Sequence, residues 1–458
     1  DEWFGTPYSG AVDYQGSFEA DEDLGIPAGL QVSTGDPDNP VYIDLDGNGR
    51  IGVEIGFAQI EVLDFLYLSG SFAFEKGPTA IVSIEPGFLS EFSFPVIAQE
   101  IELLTIGASN VYGFAGIGGP YRADQNGDGI IEDHEINEDA IGVTIENADF
   151  AMAKMDLTAG VDATGGYLPE FIAIQASVES AGLVGFGDLL DVTIEDVEVN
   201  INTSVVPQLP ANLQAILPMP YINLANNEIN STEGLEIKTG NQDSPVYLTF
   251  DEEIVQIKVG YFYGMLAQIM QTSGSMAFTK RGAETVTLSD GTTRSVTTLQ
   301  VGMTNVYGFL GIGEYWQANS TTGRIDGVGR SSSAFGFAVD DLDVGAVVML
   351  DYGISSGQPA VYVAVSANLN SAGLVNIPGV TVEATDLNFD LNGGITAGVS
   401  GFSVTTVVDF SAFEDGYYEI ETGDPDNPIT IDYDSIYLRV AGAAEINITP
   451  TASSGAIG

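Results

Sequence analysis

One phrase occurs three times in this chain. Gly35–Asp46 reads GDPDNPVYIDLD, Gly240–Asp251 reads GNQDSPVYLTFD and Gly423–Asp434 reads GDPDNPITIDYD. The copies stand 205 and 183 residues apart. A chain that repeats itself at such a period folds as an array of like modules, and the other segments can be indexed against the phrase. Each copy reads as a polar turn feeding a strand. Glycine supplies backbone angles that other residues avoid, Asp and Asn bond their own backbone, and Pro fixes the exit before apolar and polar residues alternate.

The indexing gives residues 1–29 as the end of a preceding module, 30–233 as a first module, 234–415 as a second and 416–458 as the start of a third. Ser69–Lys76 is answered by Ser273–Lys280, Asn110–Gly118 by Asn305–Gly313, Ser180–Val184 by Ser371–Val375 and Asp191–Asn202 by Val380–Asn392. Within a module the segments resemble one another as well. Those beginning at Leu104, Val143, Val192, Leu299 and Val380 each alternate, meet a break containing Asp or Asn, and alternate again. Period 2 on both sides of a polar break predicts a bent strand. No sustained helical stripe is present, and Ala211–Leu217 is boxed in by prolines. The expected fold is all-β. It consists of duplicated modules of about 190 residues whose bent strands form a β-solenoid-like stack, with tandem β-sandwich domains as the alternative.

Composition narrows the partners. The 458 residues include 65 acidic and 12 basic side chains, for a net charge of −53. Nucleic acid and anionic membrane surfaces both ask for a positive protein, so neither is expected as a partner. The longest apolar run, Val259–Met270, is about half of the ~20 residues a spanning helix needs, so no membrane insertion is expected. There is no cysteine and a single histidine, His134, which excludes disulfides, thiolate sites and His-based triads. The opening residues Asp1–Phe4 carry no secretory pattern. The expectation is that a leader has been removed and the protein is extracellular or on the cell surface.

The best candidate site is Asp124–Glu135, DQNGDGIIEDHE. Asp124, Asn126 and Asp128 fall at positions 1, 3 and 5 of a twelve-residue calcium loop. Ile130 offers its carbonyl at 7, Glu132 stands at 9 and Glu135 supplies the bidentate carboxylate at 12. Calcium asks for six to eight hard oxygens on a tight loop, which this spacing supplies. The stretch resembles an EF-hand-type loop without the flanking helices. A weaker candidate, Asp44, Asp46 and Asn48, matches the first half of the same pattern, and a hairpin turn explains it equally well. Asp36, Asp38, Asp424 and Asp426 read first as turn residues. Calcium is the expected cofactor.

Nothing singles out a catalytic pair among 65 acids, so no enzyme is expected. Trp3, Trp316, Tyr112 and Tyr307 have the chemistry to stack on sugars, but aromatics in duplicated strands read first as core. The duplicated NVYGF(A/L)GIG and SAGLV phrases, the acidity, the missing cysteine and the calcium loop together resemble repeat modules of very large secreted, calcium-binding bacterial surface proteins of adhesin or matrix type. The resemblance implies a structural or adhesive role. The expected function is a calcium-stabilised extracellular subunit that joins head-to-tail with itself into a filament or surface matrix. A glycan-binding adhesin segment is the alternative, and a carboxylate glycosidase ranks third.

Overall fold

The structure, a computed structural model, describes residues 11–449 apart from 22–24, 37–38, 46, 48, 64, 89–96, 123, 125, 127–133, 159–168, 208, 226–233, 354–356, 399–400 and 404–405. Its strands begin with β1 (Leu30–Val32), β2 (Val41–Ile43), β3 (Ile51–Val62), β4 (Leu66–Glu85), β5 (Ile97–Ile117), β6 (Ile141–Leu157), β7 (Glu170–Val184) and β8 (Leu190–Val205). Next come β9 (Tyr221–Ile222), β10 (Leu235–Ile237), β11 (Val246–Leu248), β12 (Ile254–Leu266), β13 (Met270–Thr287), β14 (Thr293–Ile312), β15 (Trp316–Gln317) and β16 (Gly329–Arg330). The last are β17 (Phe335–Asp351), β18 (Ala360–Val375), β19 (Val380–Gly398), β20 (Gly401–Ser403), β21 (Tyr418–Ile420), β22 (Ile429–Ile431) and β23 (Tyr437–Ile448). Helix is confined, among the described residues, to two four-residue α-helices, Tyr14–Ser17 and Ala211–Gln214, and short 3-10 turns.

The protein is all-β. The bent strands stack by pairing edge to edge. Six strands, β3 to β8, are followed by six more, β12, β13, β14, β17, β18 and β19, and then by β23, each antiparallel to its neighbour in one open sheet. Short β9 and β20 pair beside β4 and β19, and β1–β2, β10–β11, β15–β16 and β21–β22 are separate two-stranded ribbons.

At most of the polar breaks a strand changes register with a neighbour; through Asp196 the register runs on unbroken. Asn110, Asn147, Asp196, Asn305, Asp341 and Asp386 have φ between +49° and +58°. Asn and Asp are the side-chain-bearing residues that tolerate this left-handed region most readily. A single left-handed residue inserts a bulge and shifts the inside–outside alternation by one. In β14, Leu299, Val301 and Met303 lie opposite Lys280, Phe278 and Met276 of β13; beyond Asn305, Gly308 and Leu310 lie opposite Thr272 and Met270. Odd numbers give way to even on β14 while β13 alternates without interruption. The residues that face the core before the bend and those that face it after the bend therefore lie on one side of the strand.

The two faces differ. One is covered by the ribbons and by the long crossing 313–334, which encloses Tyr307, Phe309, Tyr315, Trp316 and Ile325. The other is open. In β13, Ala277 and Thr279 on the covered face are 2% and 1% exposed, whereas Phe278 between them is 37% exposed. One row of the open face can be followed through the registers of the whole sheet. It runs Ile55, Phe72, Ala108, Phe150, Ala176 and Val199 across β3 to β8. It continues Ile257, Phe278, Val301, Ala346, Val365 and Leu391 across β12 to β19 and ends on Leu438 of β23.

Replacing Asn110 separates the backbone requirement from side-chain chemistry. Asn110→Gly should leave the urea midpoint nearly unchanged, and Asn110→Val should cost about 1–2 kcal/mol, the penalty for a β-branched residue at positive φ.

Candidate functional site

The best-defined constellation in the molecule is a junction between modules, and it is built twice. β12 pairs along β8 from Ile254↔Asn202 to Leu266↔Leu190, and β23 pairs along β19 from Val380↔Ile448 to Asn392↔Tyr437. Before each first strand the chain crosses the covered face of the module it leaves. The β10–β11 ribbon lies on β5, β6 and β7, and β21–β22 lies on β14, β17 and β18. Leu235, Ile237 and Leu248 complete the core around Ile101, Ala151 and Met155. Tyr418, Ile420 and Ile431 do the same around Val347, Met349 and Tyr362. The thrice-repeated phrase is the turn and second strand of these ribbons.

Two glycines on each side let backbone pass backbone. A Cβ on Gly107 would lie 2.0 Å from the carbonyl oxygen of Lys238, and one on Gly302 would lie 2.0 Å from that of Glu421. A Cβ on Gly240 would meet the carbonyls of Phe72 and Ile55 within 2.5 Å, and one on Gly423 those of Val259 and Met276 within 2.4 Å. The last strand of each module carries a buried asparagine that latches the crossing chain. The Asn202 amide donates to the carbonyls of Ile222 (3.0 Å) and Glu252 (2.8 Å); the Asn392 amide donates to those of Val408 and Ser435, both at 3.0 Å. These asparagines close the matched sequence segments, which is the signal that marks them. Asn202 sits in an Asn-x-Ser triplet, but burial and both hydrogen bonds remove it as a glycosylation acceptor.

The two junctions carry opposite charges at equivalent places. Lys238 on the ribbon reaches Glu54 of β3 at 2.6 Å and Glu75 of β4 at 3.8 Å. In the second module Glu421 faces Lys258 at 3.1 Å and accepts from Gln256 at 2.7 Å. Such partly exposed pairs add little stability but discriminate between partners. A buried pair fixes the connector of the first junction. Lys280 Nζ donates to Glu253 at 2.5 Å and to the Leu217 carbonyl at 2.9 Å, while Met219 N–H donates to the same carboxylate. Burial pushes the Glu253 carboxyl above the usual carboxylate range, and Lys280 opposes that shift.

The β1–β2 ribbon repeats the design without a module beneath it among the described residues. The Thr34 hydroxyl donates to the carbonyls of Asp36 and Asn39, as Thr239 does to Asn241 and Ser244 and Thr422 to Asp424 and Asn427. Yet a Cβ on Gly35 would meet nothing within 4 Å, and Val32 is 39% exposed where Ile237 and Ile420 are 0% exposed. The outer edge of β3 likewise pairs with no strand among the described residues.

Of the expected metal ligands, Asp124, Asn126 and Glu135 are described; Asp128, Ile130 and Glu132 lie outside the described residues, as do Asp46 and Asn48 of the weaker candidate. Glu135 is 2% exposed and accepts the Asn126 N–H at 3.1 Å, so the twelfth residue does fold back on the third. Arg122 and Asp124 at the loop entrance line one cavity with Gln59 and Glu61 of β3. Asp44 follows β2 directly. No group of three or more His, Cys, Asp or Glu placed to hold a metal occurs among the described residues.

The equivalent crossing of the second module contains Asn319, Thr321 and Gly323 in place of the acids and closes on itself. Asn319 Oδ1 accepts from Thr321 N–H, the Asn319 amide donates to Asp326, and Arg324 bridges Glu195 (2.7 Å) and Asp196 (2.6 Å) of β8, across the junction. Trp316 and Tyr307 are core residues, 1% and 6% exposed, which removes them as sugar platforms. No protein-family model, curated protein or solved structure matches the chain.

Gly302→Ala should destabilise by more than about 2 kcal/mol, because carbonyl backbone has nowhere to retreat. Gly308→Ala, where a Cβ finds its nearest neighbour at an ordinary 3.5 Å, should be tolerated; thermal unfolding of the pair is the check. Lys280→Met leaves a buried carboxylate without its counter-charge and should cost about 3–5 kcal/mol at neutral pH. A carboxyl raised in the folded state loses stability as pH rises above its unfolded value of about 4.3. The deficit of this variant in urea melts should therefore shrink as pH falls toward that value.

Proposed function

We propose that this is an extracellular structural protein whose modules join, within a chain and between chains, through one repeated junction. The observation that supports it is the third copy of the incoming half. The β1–β2 ribbon and the β3 edge have the shape, turn bonds and glycine of β10–β12 and β21–β23, but face no module among the described residues. Their natural socket is the end of another such module, a last strand such as β19 with the covered face of β14, β17 and β18. In this chain β21–β23 fills that socket. Joining two copies therefore exchanges one ribbon and strand for its equivalent, a heterologous contact that propagates without closing.

Calcium fits this reading at the loop of the first module. In the second module Arg324 ties the crossing to β8 over the junction. Asp124 lines one cavity with Gln59 and Glu61 of β3, and the sequence that follows it offers oxygens where its counterpart brings its own cation. A divalent ion there would brace the edge that meets the next module. The residues that would hold it are Asp124, Asn126, Asp128, Glu132 and Glu135 with the Ile130 carbonyl.

Negative-stain electron microscopy of the purified chain in millimolar calcium should show linear multi-chain assemblies, and chelation with EDTA should shorten or disperse them. Dispersed single particles in both conditions would overturn the reading. Assemblies unaffected by EDTA would retain the polymer and remove calcium from it.

A further inference from the structure

We infer that the open face of the sheet is a second interaction surface, separate from the module junctions, and that its occupant is the same face of a second copy of this chain. The row that includes Phe72, Phe150, Ile257, Phe278 and Val301 crosses thirteen strands without one polar side chain. A second row beside it, from Val440 through Phe389, Val344, Met276 and Val197 to Val111, is equally apolar. Twelve strand spacings of about 4.8 Å make the band about 58 Å wide, and two rows alone cover about 750 Å². That exceeds the largest apolar patch of an ordinary monomer and reaches what one partner contributes to a stable protein interface.

Three features select a protein sheet, and this one, as the occupant. A sheet lying in hydrocarbon must close on itself, because every unpaired backbone group there costs several kcal/mol. This sheet leaves the outer edges of β3 and β23 unpaired among the described residues. The first row also alternates large and small across β4 to β7, where Phe72, Ala108, Phe150 and Ala176 follow one another on adjacent strands. Such ridges and hollows interlock with a second pleated face, as in a β-sandwich, and serve no purpose against fluid acyl chains. Finally, two chains of net charge −53 repel except where they meet without charges, and these rows carry none. The surface self-complements about a two-fold axis. Edge-to-edge joining leaves it untouched, so the two contacts are independent.

The chain has no cysteine, so Ile257→Cys on the central strand accepts one spin label. Face-to-face pairing predicts a label-to-label distance of about 10–20 Å by pulsed electron resonance, given sheets packed about 10 Å apart. Sedimentation velocity should show a dimer in EDTA. Phe278→Glu, at a side chain exposed in the single chain, should weaken that dimer at least about a hundredfold with an unchanged far-ultraviolet spectrum. Val328→Glu, which replaces an exposed apolar residue on the other side of the molecule, should leave it intact. A monomer in EDTA, a dimer indifferent to Phe278→Glu, or flotation of the chain with neutral phosphatidylcholine vesicles would each overturn the inference.

Discussion

A long β-strand has two faces and no means of its own to exchange them, so any extra residue turns every later side chain to the wrong side. Strands of 15 to 21 residues form much of this sheet, and six of the ten described place an Asn or Asp where such an extra residue falls. The left-handed Asn or Asp at the bend absorbs it. Without that bulge, Leu310 would share the covered face with residues such as Val296, and Phe309 would leave the aromatic core around Trp316. The covered cores, the ribbons that seal them and the apolar open face all depend on this one backbone conformation. It costs little because the side chains that adopt it are those that tolerate it best.

The same economy governs the junctions. A ribbon can cross a sheet closely only where the sheet offers hydrogen in place of a side chain, which Gly107 and Gly302 do. The chain entering and leaving the ribbon is then held by a buried asparagine on the last strand, Asn202 or Asn392. Apolar burial supplies the bulk of the stabilisation, and the charges supply identity: Lys238 opposite Glu54 in one place, Glu421 opposite Lys258 in the other. A ribbon placed in the wrong socket would set like charges against one another. This lets near-identical parts assemble in order.

Much of this was legible in the sequence. The phrase at Gly35, Gly240 and Gly423 marked the ribbons, and the breaks at Asn110, Asn147, Asp196, Asn305 and Asp386 marked the bends, because turn chemistry and left-handed tolerance are local properties of residue type. What could not be read was sidedness. Val301 and Gly302 differ in the sequence only by size; that one faces open space and the other a carbonyl of Glu421 follows from a pairing register set more than a hundred residues away. The exchange of Lys238 for Glu421 is invisible for the same reason, since neither charge has meaning without its partner on another strand. The candidate calcium loop was the clearest local motif, and three of its six expected ligands fall outside the described residues.

The central claim, that one junction serves both within and between chains, is tested most directly by hydrogen–deuterium exchange at low and high protein concentration. The outward-facing amides of β3, Ile51–Val62, should gain protection as concentration rises, while β7, Glu170–Val184, paired on both sides, stays constant. Exchange of β3 that is fast and independent of concentration would contradict it.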